Sequence, residues 1–202
     1  MPRVAGQIDV SKTEAILDAA MLVLAERGVS VSMEEIARRA GVSKQTIYNH
    51  YGSKAELLRA LIGAKVEALT APLAMPGAAD NPVAALTGLA RDLLQSVLSR
   101  RSDSFTRLIV QGAIELPDLA NTFYEAGPRT SRARLAQFLA RETAAGRLTV
   151  DDPKMAAEFF FGMVIGSHQL RGLLGVKETL GAAEIHRIAH AAAARFLRAY
   201  AP

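Results

Sequence analysis

Cysteine is absent from the chain, which excludes disulfides, thiolate-bound zinc, iron–sulfur clusters and thiol nucleophiles. No segment offers the run of about twenty apolar residues that a bilayer span needs. The opening MPRVAGQIDVSK lacks the apolar stretch of an export signal, so a cytoplasmic protein with no membrane partner is expected. Nowhere do β-branched residues alternate with polar ones, which argues against strands. Also missing are a Gly-rich phosphate loop, a Ser/His/Asp set in a supporting context and a cluster of metal ligands. Neither an enzyme nor a cofactor or metal is therefore expected. Asp151-Asp152 reads as a turn followed by the cap of a helix opened by Pro153.

What is present points to helices. Half of the 202 residues are apolar, ample for a packed core, and Ala, Leu, Arg and Glu dominate. The expected fold is all-α with about nine helices, a count read from their start and stop signals. The densest signal is MEEIARRAGVSKQTIYNHYGSKAELL, Met33 to Leu58. Ser32 and Glu35 form a capping box for a first short helix with Ile36, Ala37 and Ala40 inward. Gly41 suits a left-handed exit, and Val42 can plug the gap between helices. Ser43 caps a second helix, on which Val42, Ile47 and Tyr51 can face inward while Lys44, Gln45, Tyr48 and Asn49 share the opposite face.

That outer face is the one a major groove would admit, and the pattern reads as a helix-turn-helix. Gln can hold an adenine edge, Lys can meet guanine or phosphate, and Tyr and Asn can do both. From Ile36 to Lys54 there are four cations (Arg38, Arg39, Lys44, Lys54) and no carboxylate, in a chain whose net charge is only +4. Positive charge is concentrated where phosphate would lie. The competing readings are a small helical hairpin with a polar outside and a helical module that binds protein.

The run Ser11 to Leu58, with ILDAAMLVLAERG at Ile16 to Gly28 ahead of the motif above, resembles the DNA-binding domain of the tetracycline-repressor (TetR) family of bacterial regulators. The resemblance implies double-stranded DNA as partner, touched by Ser32, Ser43, Lys44, Gln45, Tyr48, Asn49, His50 and Lys54, with Gln45 and Asn49 reading bases. Leu24 and Tyr51 stand where the family usually has Phe. Leu can fill the first site, whereas the Tyr51 hydroxyl must find a partner or solvent.

Helix one is expected from Ser11, boxed with Glu14, to Gly28, with Ile16, Ala20, Val23 and Leu24 buried. Ser53 and Glu56 open a fourth helix running to about Ala71. APLAMPGAADNP then forces a turn. Hence residues 1–54 are read as the DNA-binding domain, 55–71 as a connecting helix and 72–202 as a second domain. Beyond it, helices are expected from Asn81-Pro82 to about Arg101 and from Phe105 to Ile114. A third starts at Pro117, is interrupted near Gly127-Pro128 and resumes to Ala145-Gly146. The last two run from Asp152-Pro153 to near Gly172 and from Ala182 to Tyr200.

The helix from Met155 to Leu170 is apolar nearly all round, so burial on two sides is expected. The last helix is Ala-rich, which permits close approach of another. Together they suggest a homodimer through a four-helix interface carrying Phe159, Phe161, Ile165, Ile185, Ile188, Ala189, Ala192 and Phe196. TetR-family proteins usually dimerise through their last two helices, as the resemblance implies; filling of a monomer core is the alternative. The stretch Phe105 to Gly175 is also similar to the AefR-like type of carboxy-terminal domain. This implies a pocket for a small apolar or amphipathic effector, with Phe105, Leu108, Ile109, Phe123, Tyr124, Phe138, Phe160, Met163 and His168 as lining candidates. His186 and His190 sit four apart, a spacing that suits a metal, but no third ligand is evident. The expected function is a homodimeric, ligand-responsive DNA-binding regulator, a repressor before an activator, on a pseudo-palindromic operator.

Overall fold

A computed structural model describes residues 10–28, 30–176 and 179–202, and no strand occurs among them. The amino-terminal helices are α1 (Val10–Arg27), α2 (Met33–Arg39), α3 (Lys44–Tyr51) and α4 (Lys54–Thr70). A 3-10 turn, Ala71–Leu73, follows, then α5 (Pro82–Val97), α6 (Arg100–Gly112) and α7 (Pro117–Tyr124). A π turn, Glu125–Arg129, runs α7 into α8 (Thr130–Ala144), and α9 (Pro153–Ile165), α10 (His168–Leu174) and α11 (Ala182–Ala199) complete the chain.

Helix starts follow their local chemistry. Asn81 Oδ1 accepts from the Ala84 amide at 3.0 Å, and Asp152 Oδ1 accepts from Lys154 and Met155 amides at 2.9 and 3.1 Å, each beside a proline that has no amide to satisfy. Ser53 accepts from the Glu56 amide at 3.2 Å, while the Glu56 carboxylate turns to Arg59. Among the described residues the first helix starts at Val10, one residue before the expected Ser11, and Gly28 ends it at φ 82°.

Three boundaries differ from expectation. The helix from Pro82 stops at Val97, and α6 starts at Arg100, five residues before Phe105. The expected interruption at Gly127-Pro128 is instead a widened π turn in one continuous rod. Pro128 offers no amide, and the Thr130 and Ser131 hydroxyls donate to the carbonyls of Glu125 and Gly127 at 2.7 and 2.8 Å. The helix expected to reach Gly172 breaks at Gly166, whose φ of 49° belongs to glycine. That break produces α10, which the sequence reading merged with α9.

Two apolar cores result. The first gathers Ile16, Ala20, Val23 and Leu24 of α1, Ile36 and Ala37 of α2, Ile47 of α3 and Leu57, Leu58, Leu61, Ile62 and Val66 of α4. It is completed from farther along the chain by Phe105 and Ile109 of α6. In the second, α11 lies along α5 through Ala189 and Ala193, and α8 and α9 add Leu135, Phe138, Leu139, Phe160 and Phe161. Phe160 meets Phe196 edge-on with ring centres 5.1 Å apart. At roughly 1.5–3 kcal/mol for each large apolar side chain fully buried, these cores dominate stability.

Candidate nucleic-acid interface and ligand cavity

The helix-turn-helix, the candidate DNA reader, is assembled from α2 and α3. Ser32 Oγ accepts from the Glu35 amide at 3.2 Å while the Glu35 carboxylate accepts from the Ser32 amide at 2.9 Å, closing the capping box. At the other end of α2, Gly41 takes φ 68°, and the Val42 amide reaches back to the Ala37 carbonyl at 3.0 Å. This turn brings α3 across α2. Ser43 Oγ accepts from the Thr46 amide at 3.0 Å, and fully buried Ile47 pins α3 to the core. Val42 and Tyr51 are half-buried beside it.

Pinning Ile47 inward fixes what points outward. Lys44, Gln45, Tyr48, Asn49 and His50 are all exposed, together with the cap residues Ser32 and Ser43. Gln45 Nε2 donates to Asn49 Oδ1 at 2.7 Å, so the two amides that can read bases are already aligned as a pair. Lys54, at the start of α4, is half-buried, and burial holds its ammonium below the usual lysine range despite nearby Glu35. Tyr51 Oη is buried without a hydrogen bond from any described protein group, and burial pushes the phenol up.

One residue of this surface escaped the sequence reading. Glu34, two residues before the carboxylate-free window, folds over α3: its Oε1 lies 2.6 Å from Lys44 Nζ and accepts from Tyr48 Oη at 3.4 Å. The hydrogen bond from Lys44 holds the Glu34 carboxyl below the usual carboxylate range, and Glu34 in turn raises Lys44. A charge count along the chain misses a contact made across the turn.

A cavity of about 620 Å³, within the size range of ligand sites, opens beside α4. Ile62, Val66 and Leu69 of α4 form one wall; Phe105, Phe123, Tyr124 and Phe161 supply aromatic surface, with Phe105 and Phe123 centred 5.8 Å apart. Ser96, Ser102, Thr106, Ser131 and Gln169 add polar groups. Arg132, also in the lining, is held by Glu158 at 2.7 Å, by the Pro128 carbonyl at 3.1 Å and against the Phe161 ring at 4.8 Å.

Residues 84–202 match the model for the carboxy-terminal domain of AefR-like transcriptional repressors, and residues 16–61 match that for bacterial regulatory proteins of the tetR family. The chain belongs to the TetR family. The HTH-type transcriptional regulator SrpR of Pseudomonas putida is 28% identical to this TetR-family chain over 160 residues, 76% of this chain and 71% of SrpR. Among solved structures, the flavonoid-responsive regulator FrrA is 37% identical with a TM-score of 0.70, covering 95% of this chain and 97% of its own. A TetR-family chain from Mesorhizobium loti is 28% identical with a TM-score of 0.75, covering 96% and 98%.

Within this TetR-family fold, the expected pocket and interface residues are redistributed. Phe105, Phe123 and Tyr124 line the cavity, joined by Phe161 and Ile165, which the sequence reading placed at a dimer interface. The other pocket candidates lie elsewhere. Leu108 packs near Gly28 and Ile109 enters the reader core. Phe138 and Phe160 fill the second core, Met163 is exposed, and His168 is half-buried on α10 outside the lining. Of the interface candidates, Ile185, Ala189, Ala192 and Phe196 are buried in the chain's own core, because α11 uses its small residues to approach α5. Ile188 is half-buried. Phe159 stays 57% exposed, and Met155, Gly162 and Met163 share its side of α9. The His186 and His190 rings stand 6.4 Å apart, and no group of three potential metal ligands occurs among the described residues.

Tyr51→Phe is expected to match or exceed the parent's thermal stability, because leaving a buried hydroxyl unpaired costs on the order of 1–3 kcal/mol. Thermal unfolding followed by circular dichroism checks this, and a clear drop in midpoint would show that the hydroxyl has a stabilising partner.

Proposed function

We propose that this regulator is a homodimeric repressor that sets two α3 helices in successive major grooves of a pseudo-palindromic operator and is released by a small amphipathic effector. The observation that carries this reading is that the cavity's wall is α4, whose Ile62 and Val66 belong also to the core on which α3 sits. A ligand that favours one placement of α4 also favours one placement of the reader, and its affinity difference between the two sets the response. Repression is steric, by occupation of the promoter in the cytoplasm. Lys54, Tyr48 and His50 serve the backbone, and Gln45 and Asn49 the bases.

The dimer forms through the face of α9 that the chain leaves bare. Met155, Phe159 and Met163 recur at helical spacing, with Gly162 allowing close approach.

The effector is a planar aromatic molecule with peripheral hydroxyls. Aromatic walls with Ser, Thr and Gln side chains and the charged groups of Lys65, Asp92 and Arg132 to meet hydroxyls suit such a ligand, and FrrA, 37% identical, is named as flavonoid-responsive. Flavonoid aglycones are the first probes of release.

Sequencing of duplexes retained by the purified protein from a random pool is expected to give an inverted repeat with half-sites about one helical turn, ~34 Å, apart. Recovery of no common sequence would overturn the operator reading. Phe159→Glu is expected to sediment as a helical monomer at micromolar concentration and to lose at least about tenfold in operator affinity, since two half-sites no longer act together. A dimer of unchanged mass would remove α9 from the interface. Ser96→Trp, which narrows the cavity from α5, is expected to bind operator normally yet need about tenfold more aglycone for release. Release at the parent's concentration would place the effector elsewhere.

A further inference from the structure

We infer that Glu34 is a specificity-determining residue of the reader, neutralising Lys44 against DNA that lacks the operator sequence. The inference rests on the DNA-binding reading above and adds a residue that works by opposing binding.

Three observations converge. Glu34 Oε1 lies 2.6 Å from Lys44 Nζ and accepts from Tyr48 Oη at 3.4 Å, so one carboxylate engages two side chains of the outward face. Both charged groups remain open to solvent, at 68% exposure for Lys44 and 43% for Glu34, so the pair lies on the surface presented to DNA and not in the core. Neighbouring Glu35 closes the capping box with Ser32, whereas the Glu34 carboxylate, beyond its own backbone amide, reaches across to α3. The side chains it engages on α3 are those of Lys44 and Tyr48.

A carboxylate in that position has a direct electrostatic consequence. Binding to arbitrary duplex depends on phosphate neutralisation, and each cation engaged contributes about 0.9 to the slope of log affinity against log salt. Lys44 paired with Glu34 contributes little to that count, and the carboxylate itself repels the backbone. On the operator, Gln45 and Asn49 fix α3 in register through base edges, so Lys44 stays beside α2 and affinity depends less on where its ammonium could otherwise swing. Glu34 therefore depresses off-operator binding more than operator binding, which widens the ratio that matters when competing sites are in vast excess. Opposing unwanted partners with a charge is a general route to specificity.

The test compares the parent with Glu34→Gln, which keeps an acceptor for Tyr48 and removes the charge. Affinities are measured across a salt series for the selected inverted repeat and for a duplex lacking it. Glu34→Gln is expected to bind the unrelated duplex about fivefold more tightly at low salt, with a salt slope steeper by about one, and to gain less on the operator. In a Lys44→Ala background the same substitution is expected to produce a much smaller change, which separates loss of the pair from general loss of negative charge. Circular dichroism confirms that each variant retains its helices. Weaker operator binding by Glu34→Gln would assign Glu34 to base reading and overturn the inference, as would an unchanged unrelated-duplex affinity. Should neither protein bind any duplex, the regulator reading fails and the inference falls with it.

Discussion

Burial of α4 on two sides is the constraint on which the rest of the structure depends. Its Leu57, Leu58, Leu61, Ile62 and Val66 belong to the reader core, while Leu69 packs on the second core. Polar ties reinforce the carboxy-terminal end: the Thr70 hydroxyl donates to the Val66 carbonyl at 2.7 Å and accepts from Arg134 at 2.9 Å, and Arg134 also meets Glu67 at 2.6 Å. A helix packed this closely does not slide by small continuous steps, because interiors at crystal-like density exchange between discrete arrangements. A second link runs through α6, whose Phe105 completes the reader core and also walls the cavity. The reader and the cavity therefore share two helices.

Local chemistry made much of this legible in advance. Ser32, Ser43, Ser53, Asn81 and Asp152 all cap the helices their positions announce, because a cap needs only an oxygen and an amide two or three residues on. Gly28 and Gly41 end helices for a reason equally local, a positive φ. The buried stripe of α1 and the outward face of α3 follow from periodicity alone.

What periodicity leaves open is which neighbour covers an apolar face. Helix α9 is apolar all round, so burial on two sides could be expected, but not that Phe160 and Phe161 turn to the chain's own core while Phe159 faces out. The alanines of α11 announced a close helix and could not announce that the helix is α5. Leu108 and Ile109 share the composition of cavity linings and yet serve the joint between α6 and the reader, since side-chain type carries no information about direction around α6. Glu34 was hidden for a related reason: α2 folds back on α3, and a window along the chain cannot see across the turn.

The π turn at Glu125–Arg129 ties these threads together. Pro128 within a regular α-helix would remove one hydrogen bond and clash with the preceding turn, at about 3 kcal/mol or more. Widening the turn relieves the clash, and the Thr130 and Ser131 hydroxyls take up the Glu125 and Gly127 carbonyls. The resulting segment touches both partners of the proposed switch. Gly127 and Pro128 line the cavity, and Gly127 lies so close to α4 that a Cβ there would stand 3.1 Å from Ile62 Cγ2. A side chain at residue 127 would push this segment off α4; its absence lets Pro128 and Ile62 line the same cavity. A turn closed by its own side-chain hydroxyls and set between the cavity and α4 is held more firmly than an open surface loop would be.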